Sequence, residues 1–471
     1  MTFLHKLKLV AAMLLLASPV DAQDDDEARQ VRRLVEGGLV PAVMVQGGPQ
    51  LYGLTERMAY YNVPALSVAV IRGGELVFAD AFGDASPGAP ATPVTLFQAA
   101  SLSKPVTAIA VMRLVEKGLL DLDADIRGSL KSWSLPEGTP DVPVTIRQIL
   151  SHTAGFTVHG FRGYAPGENV PTTLDILNGA GPANSAPIVI DQTPGQAWRY
   201  SGGGYTVLQL LIEDVTGKPF AEVMREEVLA PAGMERSSYV QPLPSDWGAQ
   251  LAAAHDYKGN FTPTHIYPEQ AAASLWTTPR ELAGLLAELS RIYQGAEGWL
   301  GHQSVQDLAT QVFEGMGPGF AVDGEGRNLR LTHGGSNKGF RSFMALYPER
   351  GDGIVVMTNA AAGGGMQMEV VRSIAAQYGW PEFEPRKIAA VKLSDEKLAA
   401  LAGRYHVAAH GFEIDVAPTG GGLELAVTRG SRYLAYPVSE TELTIREDGA
   451  IITVAEEGVL KLWGMTAERV D

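Results

Sequence analysis

The sequence predicts an α+β protein: a large domain mixing helices and strands without strict βαβ rotation, followed by a small all-β unit. Three observations carry this. The runs Leu66 to Ile71 and Glu75 to Phe82 meet across Gly73-Gly74, the pattern of a β-hairpin closed by a tight primed turn. Leu329 to Thr332, Arg341 to Tyr347 and Ile354 to Thr358 read as strands joined by turns rather than by helices. Past Trp380-Pro381 a segment of proline and charge precedes alternating strands from Gly403 to Trp463.

In chain order, residues 1–22 read as an export signal. His5, Lys6 and Lys8 give a basic start, Leu9 to Ala17 an apolar stretch, and Val20-Asp21-Ala22 a small-residue cleavage site. The apolar run falls far short of the ~20 residues that a spanning helix needs, so no stable transmembrane segment is expected after processing, and the protein is expected to be periplasmic or secreted. Residues 23–50 form an N-terminal extension, acidic at Asp24 to Glu27 and then helical, which is not expected to contribute core; order is expected to begin near Leu51.

The main domain covers 51–380. After the hairpin, a loop dense in Pro and Gly leads to a helix over Ser101 to Lys117, with Ile109, Met112, Leu114 and Val115 at helical spacing and Gly118 as its stop. Pro105 sits in the first turn, where its missing N–H costs nothing. Long irregular stretches, Gly160 to Pro171 and Gly179 to Gly195, suggest functional loops. Helical spacing returns at Tyr205 to Val215, Glu281 to Tyr293 and Met366 to Tyr378. Residues 381–393 read as a linker. Residues 394–471 read as a short helix and a meander or small barrel, with turns at Gly420-Gly421-Gly422, Asp448-Gly449 and Glu457-Gly458. This unit is expected to shield one rim of a cleft or to aid a dimer contact.

Composition narrows the function. At 471 residues with 45% apolar content the chain can build two or three packed units. A formal charge of -16 leaves no basic face for nucleic acid. Without cysteine there is neither a disulfide framework nor a thiol nucleophile, and no HExxH pair occurs, so no metal and no cofactor is expected.

The chemistry is concentrated in three segments. Ser101-Leu102-Ser103-Lys104 puts a hydroxyl and an amine one turn apart at a helix start, where the amine can take the proton that makes serine a weak nucleophile. The helix N-terminus favours a developing oxyanion. Spacing alone is weak, because Ser394-Asp395-Glu396-Lys397 repeats it among exposed acids, where a capped helix start explains it. The second segment, Trp198 to Tyr205, carries Tyr200 on a glycine-rich loop opening a helix. The third, Leu331 to Ser336, carries His333-Gly334-Gly335 on a strand. No Gly-x-Ser-x-Gly elbow of an α/β-hydrolase is present.

Taken in order, these segments resemble the serine hydrolase family of class C β-lactamases, D-alanyl-D-alanine carboxypeptidases, D-aminopeptidases and family VIII esterases, over about Val63 to Trp380. The supporting stretches are Asn62 to Ala65, Leu150 to Phe156 and Leu275 to Pro279. The resemblance implies a β-lactamase/penicillin-binding-protein-like fold, an antiparallel sheet flanked by helices beside a mostly helical subdomain with the site between. It implies an acyl-enzyme on Ser101, proton transfer by Lys104 and Tyr200 in an order left open, and an oxyanion hole from the N–H groups of Ser101 and Ser336. Gly202 stands where many relatives carry asparagine, and His333 where class C β-lactamases carry lysine.

The leading expectation is an exported peptidase or esterase acting on a small molecule or short peptide. The alternatives are a β-lactamase or carboxypeptidase, and a penicillin-binding-like sensor with little turnover. Gly202, His333, Gly334, Gly335, Trp276 and Arg341 are the candidate substrate contacts; Trp276 could equally fill core, and Arg341 or Lys338 could supply a charge missing at position 333. His152 is expected to make a structural hydrogen bond. Oligomeric state is left open.

Overall fold

The computed structural model describes residues 19–48, 51–456 and 458–470, so the basic start and apolar stretch of the export signal lie outside the described residues. The first hairpin forms as the double glycine requires. Ala65–Arg72 pairs antiparallel with Glu75–Ser86, and Gly73 and Gly74 have φ of 59° and 82°, the left-handed pair of a type I′ turn. These strands belong to a seven-stranded antiparallel sheet in the order Ala89–Pro90, Glu75–Ser86, Ala65–Arg72, Asp352–Thr358, Phe340–Tyr347, Arg330–Asn337, Ala321–Asp323. The strand with the His333-Gly334-Gly335 run therefore lies next to the edge strand, which pairs only with residues 330–332.

Two cores sandwich the sheet. On one face, Ala69, Ile71, Met344, Leu346, Val355 and Met357 pack with the helices Ser103–Glu116, Gly202–Thr216 and Pro279–Tyr293. On the other, Leu66, Val68, Val70, Ile354 and Val356 meet the helix Gly364–Tyr378 and the N-terminal helix Pro19–Gly37. That last contact corrects the expectation that ordered core begins near Leu51: Val31, Val35, Leu39 and Val43 are fully buried. Asp24 to Glu27 mask an apolar stripe of period about four.

The expected linker is also structured. Arg386–Ile388 pairs in parallel with Val43–Val45, tying both ends of the main domain together. Beyond the helix Asp395–Ala400, eight antiparallel strands between Gly403 and Arg469 close into a barrel around Tyr405, Val407, Leu425, Ile445 and Ile452. The barrel docks through the turn at Arg446-Glu447. Arg446 Nη1 donates to Tyr52 Oη at 2.7 Å, and Tyr60 Oη donates to Glu447 Oε1 at 3.0 Å. No described helix is long and apolar enough to cross a membrane.

Candidate active site

Ser101 occupies a single 3₁₀ turn, Ala100–Leu102, that feeds the helix Ser103–Glu116, a tighter entry than the continuous helix expected from spacing. The turn is strained. Ala100 has φ of 52°, a left-handed conformation that costs a residue with a Cβ about 1–2 kcal/mol. Such strain survives only where the surroundings over-determine it. Here Ser103 Oγ donates to Ala100 O at 2.6 Å and accepts from Leu275 N at 3.0 Å, while Ser342 Oγ donates to Ala99 O at 2.6 Å.

One turn on, Lys104 is buried, and its Nζ donates to Ser101 Oγ at 3.2 Å and to Ala272 O at 2.8 Å. Nζ also lies 4.9 Å from the Tyr200 ring centre and 5.6 Å from that of Tyr205. Among the described residues no carboxylate pairs with it. The second motif, Ser394 to Lys397, behaves differently: Ser394 Oγ caps its helix by accepting from Lys397 N, and Lys397 Nζ reaches Glu440 at 3.2 Å. The separation lies in where the lysine points.

Tyr200 arrives on the loop before the helix Gly202–Thr216 and stands among three imidazoles, with ring centres 4.3 Å from His152, 4.9 Å from His159 and 6.3 Å from His333. His152 positions this loop, since its buried Nδ1 accepts the Ser201 N–H at 3.1 Å. Burial, reinforced by the charge of Lys104, holds its pKa well below the usual value, so that nitrogen stays free to accept. His333 is pushed down to about 3 by desolvation and then by Lys104, so it faces the cleft as a neutral ring whose Nδ1 lies 2.8 Å from Gly334 O.

The two glycines after His333 play different parts. A Cβ at Gly334 would come no closer than 4.0 Å, to Ser342 O, but one at Gly335 would collide with Ser342 Oγ and the carbonyl oxygen of Ala99. Gly335 lets the strand press against the nucleophile turn, bringing Ser336 beside it. Gly335→Ala is expected to lower kcat by about 10²-fold, the usual cost of misplacing reacting groups by an ångström. Gly334→Ala should leave the melting temperature unchanged. Ester hydrolysis and thermal melts of both variants check this.

Ser101, Lys104, Tyr200, His333, Gly334, Gly335, Ser336 and Arg341 all line one cavity of about 1460 Å³. Arg341 is held by Asn337 O, Phe340 O and Tyr257 Oη. Trp276 does not line it; it is buried and packs edge-on against Phe340 at 5.6 Å, so its place is in the core. Gly202 stands behind the wall, and Lys338 sits outside, its Nζ 3.0 Å from His265 Nε2. Among the lining residues that the motifs do not contain, Phe161 and Asn184 lie on the two long irregular stretches, whose length was the one available signal, and His159 borders the first. No barrel residue lines the cavity among the described residues. The barrel approaches the site at Gly430, which backs onto Tyr257, the partner of Arg341.

Glu269 immediately precedes the short helix whose Ala272 carbonyl holds Lys104, and its buried carboxyl meets no donor from another residue. Burial pushes it up from 4.5 to about 8. The folded chain therefore keeps a proton that the unfolded chain releases, and stability falls as pH rises through that window. Glu269→Gln is expected to flatten this fall, read from melting temperatures at pH 5 and pH 8.

Residues 54–377 match the family model described as Beta-lactamase. Protein flp of Staphylococcus aureus strain MRSA252 is 24% identical over 63% of this chain, and the match spans only 60% of that protein's length. Esterase EstB of Burkholderia gladioli is 33% identical over 38% of this chain and 48% of its own length. Among solved structures, an octameric penicillin-binding protein homologue from Pyrococcus abyssi superposes with a TM-score of 0.62 at 21% identity, covering 88% of this chain and 98% of that one.

Proposed function

The chain belongs to the Beta-lactamase family of serine hydrolases, and from that premise we propose that it cleaves amide or ester bonds by acyl transfer through Ser101, as a peptidase or esterase. The observation that carries this reading is the buried Lys104 amine, 3.2 Å from Ser101 Oγ and facing a phenol rather than a carboxylate. In the proposed cycle Ser101 Oγ bonds to the substrate carbonyl carbon while its proton passes to the Lys104–Tyr200 pair. The N–H groups of Ser101 and Ser336 stabilise the oxyanion. The pair returns the proton to the leaving nitrogen or oxygen as that bond breaks. Water then gives a proton to the same pair, its oxygen joins the acyl carbon, and Ser101 leaves with its proton restored.

The N-terminal basic and apolar stretch supports export to the periplasm or beyond, and the substrate is a small molecule or short peptide. Arg341 is the observation that favours a carboxylate-bearing substrate such as a β-lactam or a D-alanyl peptide, whereas the neutral His333 disfavours it. Purified protein assayed against short p-nitrophenyl esters, D-amino-acid anilides and nitrocefin tests the reading. Ester or anilide turnover with stoichiometric serine labelling is expected. Labelling that never turns over would point to the sensor alternative, and no labelling at Ser101 would refute acyl transfer there.

A further inference from the structure

The wall beside Tyr200 is built in a way that motif reading does not anticipate. Gly202 has no side chain, and the space where one would begin is tight: a Cβ there would lie 3.0 Å from Phe161 Cε2 and 3.2 Å from the carbonyl oxygen of His159, so the ring would have to give way. Phe161 is fixed in that place by its own segment, which is laced to the start of the Tyr200 helix. Ser201 Oγ donates to Thr157 O at 2.7 Å, Gly203 N to Val158 O at 3.0 Å, and Gly202 N to His159 O at 3.0 Å. The ring then faces the cavity together with Val158, Pro187, Val189 and Trp198.

Charge in the cavity points the same way. Although the chain carries a formal charge of -16, no aspartate or glutamate lines this cavity among the described residues, and its charged groups are Lys104, Arg162 and Arg341. A substrate ammonium would find no counter-ion there. An amide beside the scissile carbonyl would meet the aromatic ring of Phe161 where a side chain at 202 could have offered a hydrogen bond.

We propose that Phe161 is a specificity-determining residue that stands in for the side chain missing at position 202, and that the substrates are esters of apolar carboxylic acids, free of an ammonium or amide group next to the carbonyl. The proposal rests on the acyl-transfer reading above and narrows it. A buried polar group left without a partner against such a wall weakens transition-state binding by about 10- to 100-fold. The volume of about 1460 Å³ leaves room for a long or branched acyl chain.

The test compares kcat/KM for two p-nitrophenyl esters of similar length, hexanoate and N-acetylglycinate, in the wild type, Phe161→Ala, Phe161→Leu, and Phe161→Ala with Gly202→Asn. The wild type should prefer hexanoate by at least about 10-fold. Phe161→Ala should shrink that preference mainly through a loss on hexanoate, and Phe161→Leu, which keeps the wall apolar, should retain most of it. The double variant should move the ratio at least about 10-fold toward the acetamido ester. A wild type preferring the acetamido ester would overturn the proposal and would turn attention to Asn184, whose Oδ1 lacks a partner in the same cavity. A ratio indifferent to residue 161, with hydrolysis still dependent on Ser101, would overturn the proposal alone. Absence of Ser101-dependent hydrolysis would remove the acyl-transfer reading with it.

Discussion

Ser101→Ala is expected to reduce ester hydrolysis by about 10⁴- to 10⁶-fold in kcat while leaving thermal unfolding nearly unchanged. Among the described residues the hydroxyl's one hydrogen bond comes from Lys104, whose amine keeps its second acceptor, Ala272 O, when the hydroxyl is gone. The adjacent hydroxyl cannot substitute. Ser103 is fully buried, with its oxygen committed to Ala100 O and Leu275 N. Lys104→Met should cost a comparable factor, and the double variant little more than either single one, because groups that act as a unit are strongly non-additive. Steady-state kinetics with a p-nitrophenyl ester, paired with mass-spectrometric detection of a fluorophosphonate on Ser101, measure both effects. Substantial activity in Ser101→Ala would place the nucleophile elsewhere in the cavity.

Local pattern and long-range packing contributed unequally to what could be read in advance. The serine and lysine were legible because a separation of three residues on a helix fixes their proximity without knowledge of the rest of the chain. The hairpin at Gly73-Gly74 and the helix stop at Gly118, with φ of 68°, were legible for the same reason, since backbone sterics alone demand glycine there. Tyr200 and His333 needed more. Each is an ordinary residue in its own segment, and only the order of three motifs and their likeness to a family brought them together.

What stayed hidden depends on partners far apart in the chain. The strand Arg386–Ile388 looks like a linker because its sheet partner among the described residues is the three-residue strand Val43–Val45, far away in the chain. Trp276 could not be placed, because an aromatic side chain suits a cleft and a core equally well until Phe340 closes over it. The fit of Phe161 against Gly202 joins two irregular segments, and no periodicity encodes it. Gly335 lines the cavity as its motif suggests, but the need for glycine there comes from the nucleophile turn, which fills the space a Cβ would take.

The largest effect on stability is expected outside the cleft, at Glu369→Ala. Arg57 and Glu369 are buried and paired in two parallel hydrogen bonds, Nε to Oε2 at 2.8 Å and Nη2 to Oε1 at 2.6 Å, and Tyr61 Oη donates to Oε1 at 2.7 Å. The guanidinium lies over the rings of Tyr52, Tyr60 and Tyr61, at 4.8, 4.1 and 4.8 Å. Removing Glu369 leaves the Arg57 charge buried, with only the more distant Glu447 of the barrel at 3.8 Å, and should cost about 3–5 kcal/mol. Replacing both partners, Arg57→Met with Glu369→Leu, should recover most of that loss, because the cost lies in the orphaned charge and not in the pair's absence. Urea unfolding followed by fluorescence gives the comparison. The cluster joins the sheet-covering helix to the barrel turn at Arg446-Glu447, so a shared transition predicts that Glu369→Ala moves one cooperative midpoint. If instead the barrel and the main domain unfold separately, only the main-domain transition should move, and a single variant within about 1 kcal/mol of wild type would mean that water reaches this cluster and the charges are not desolvated.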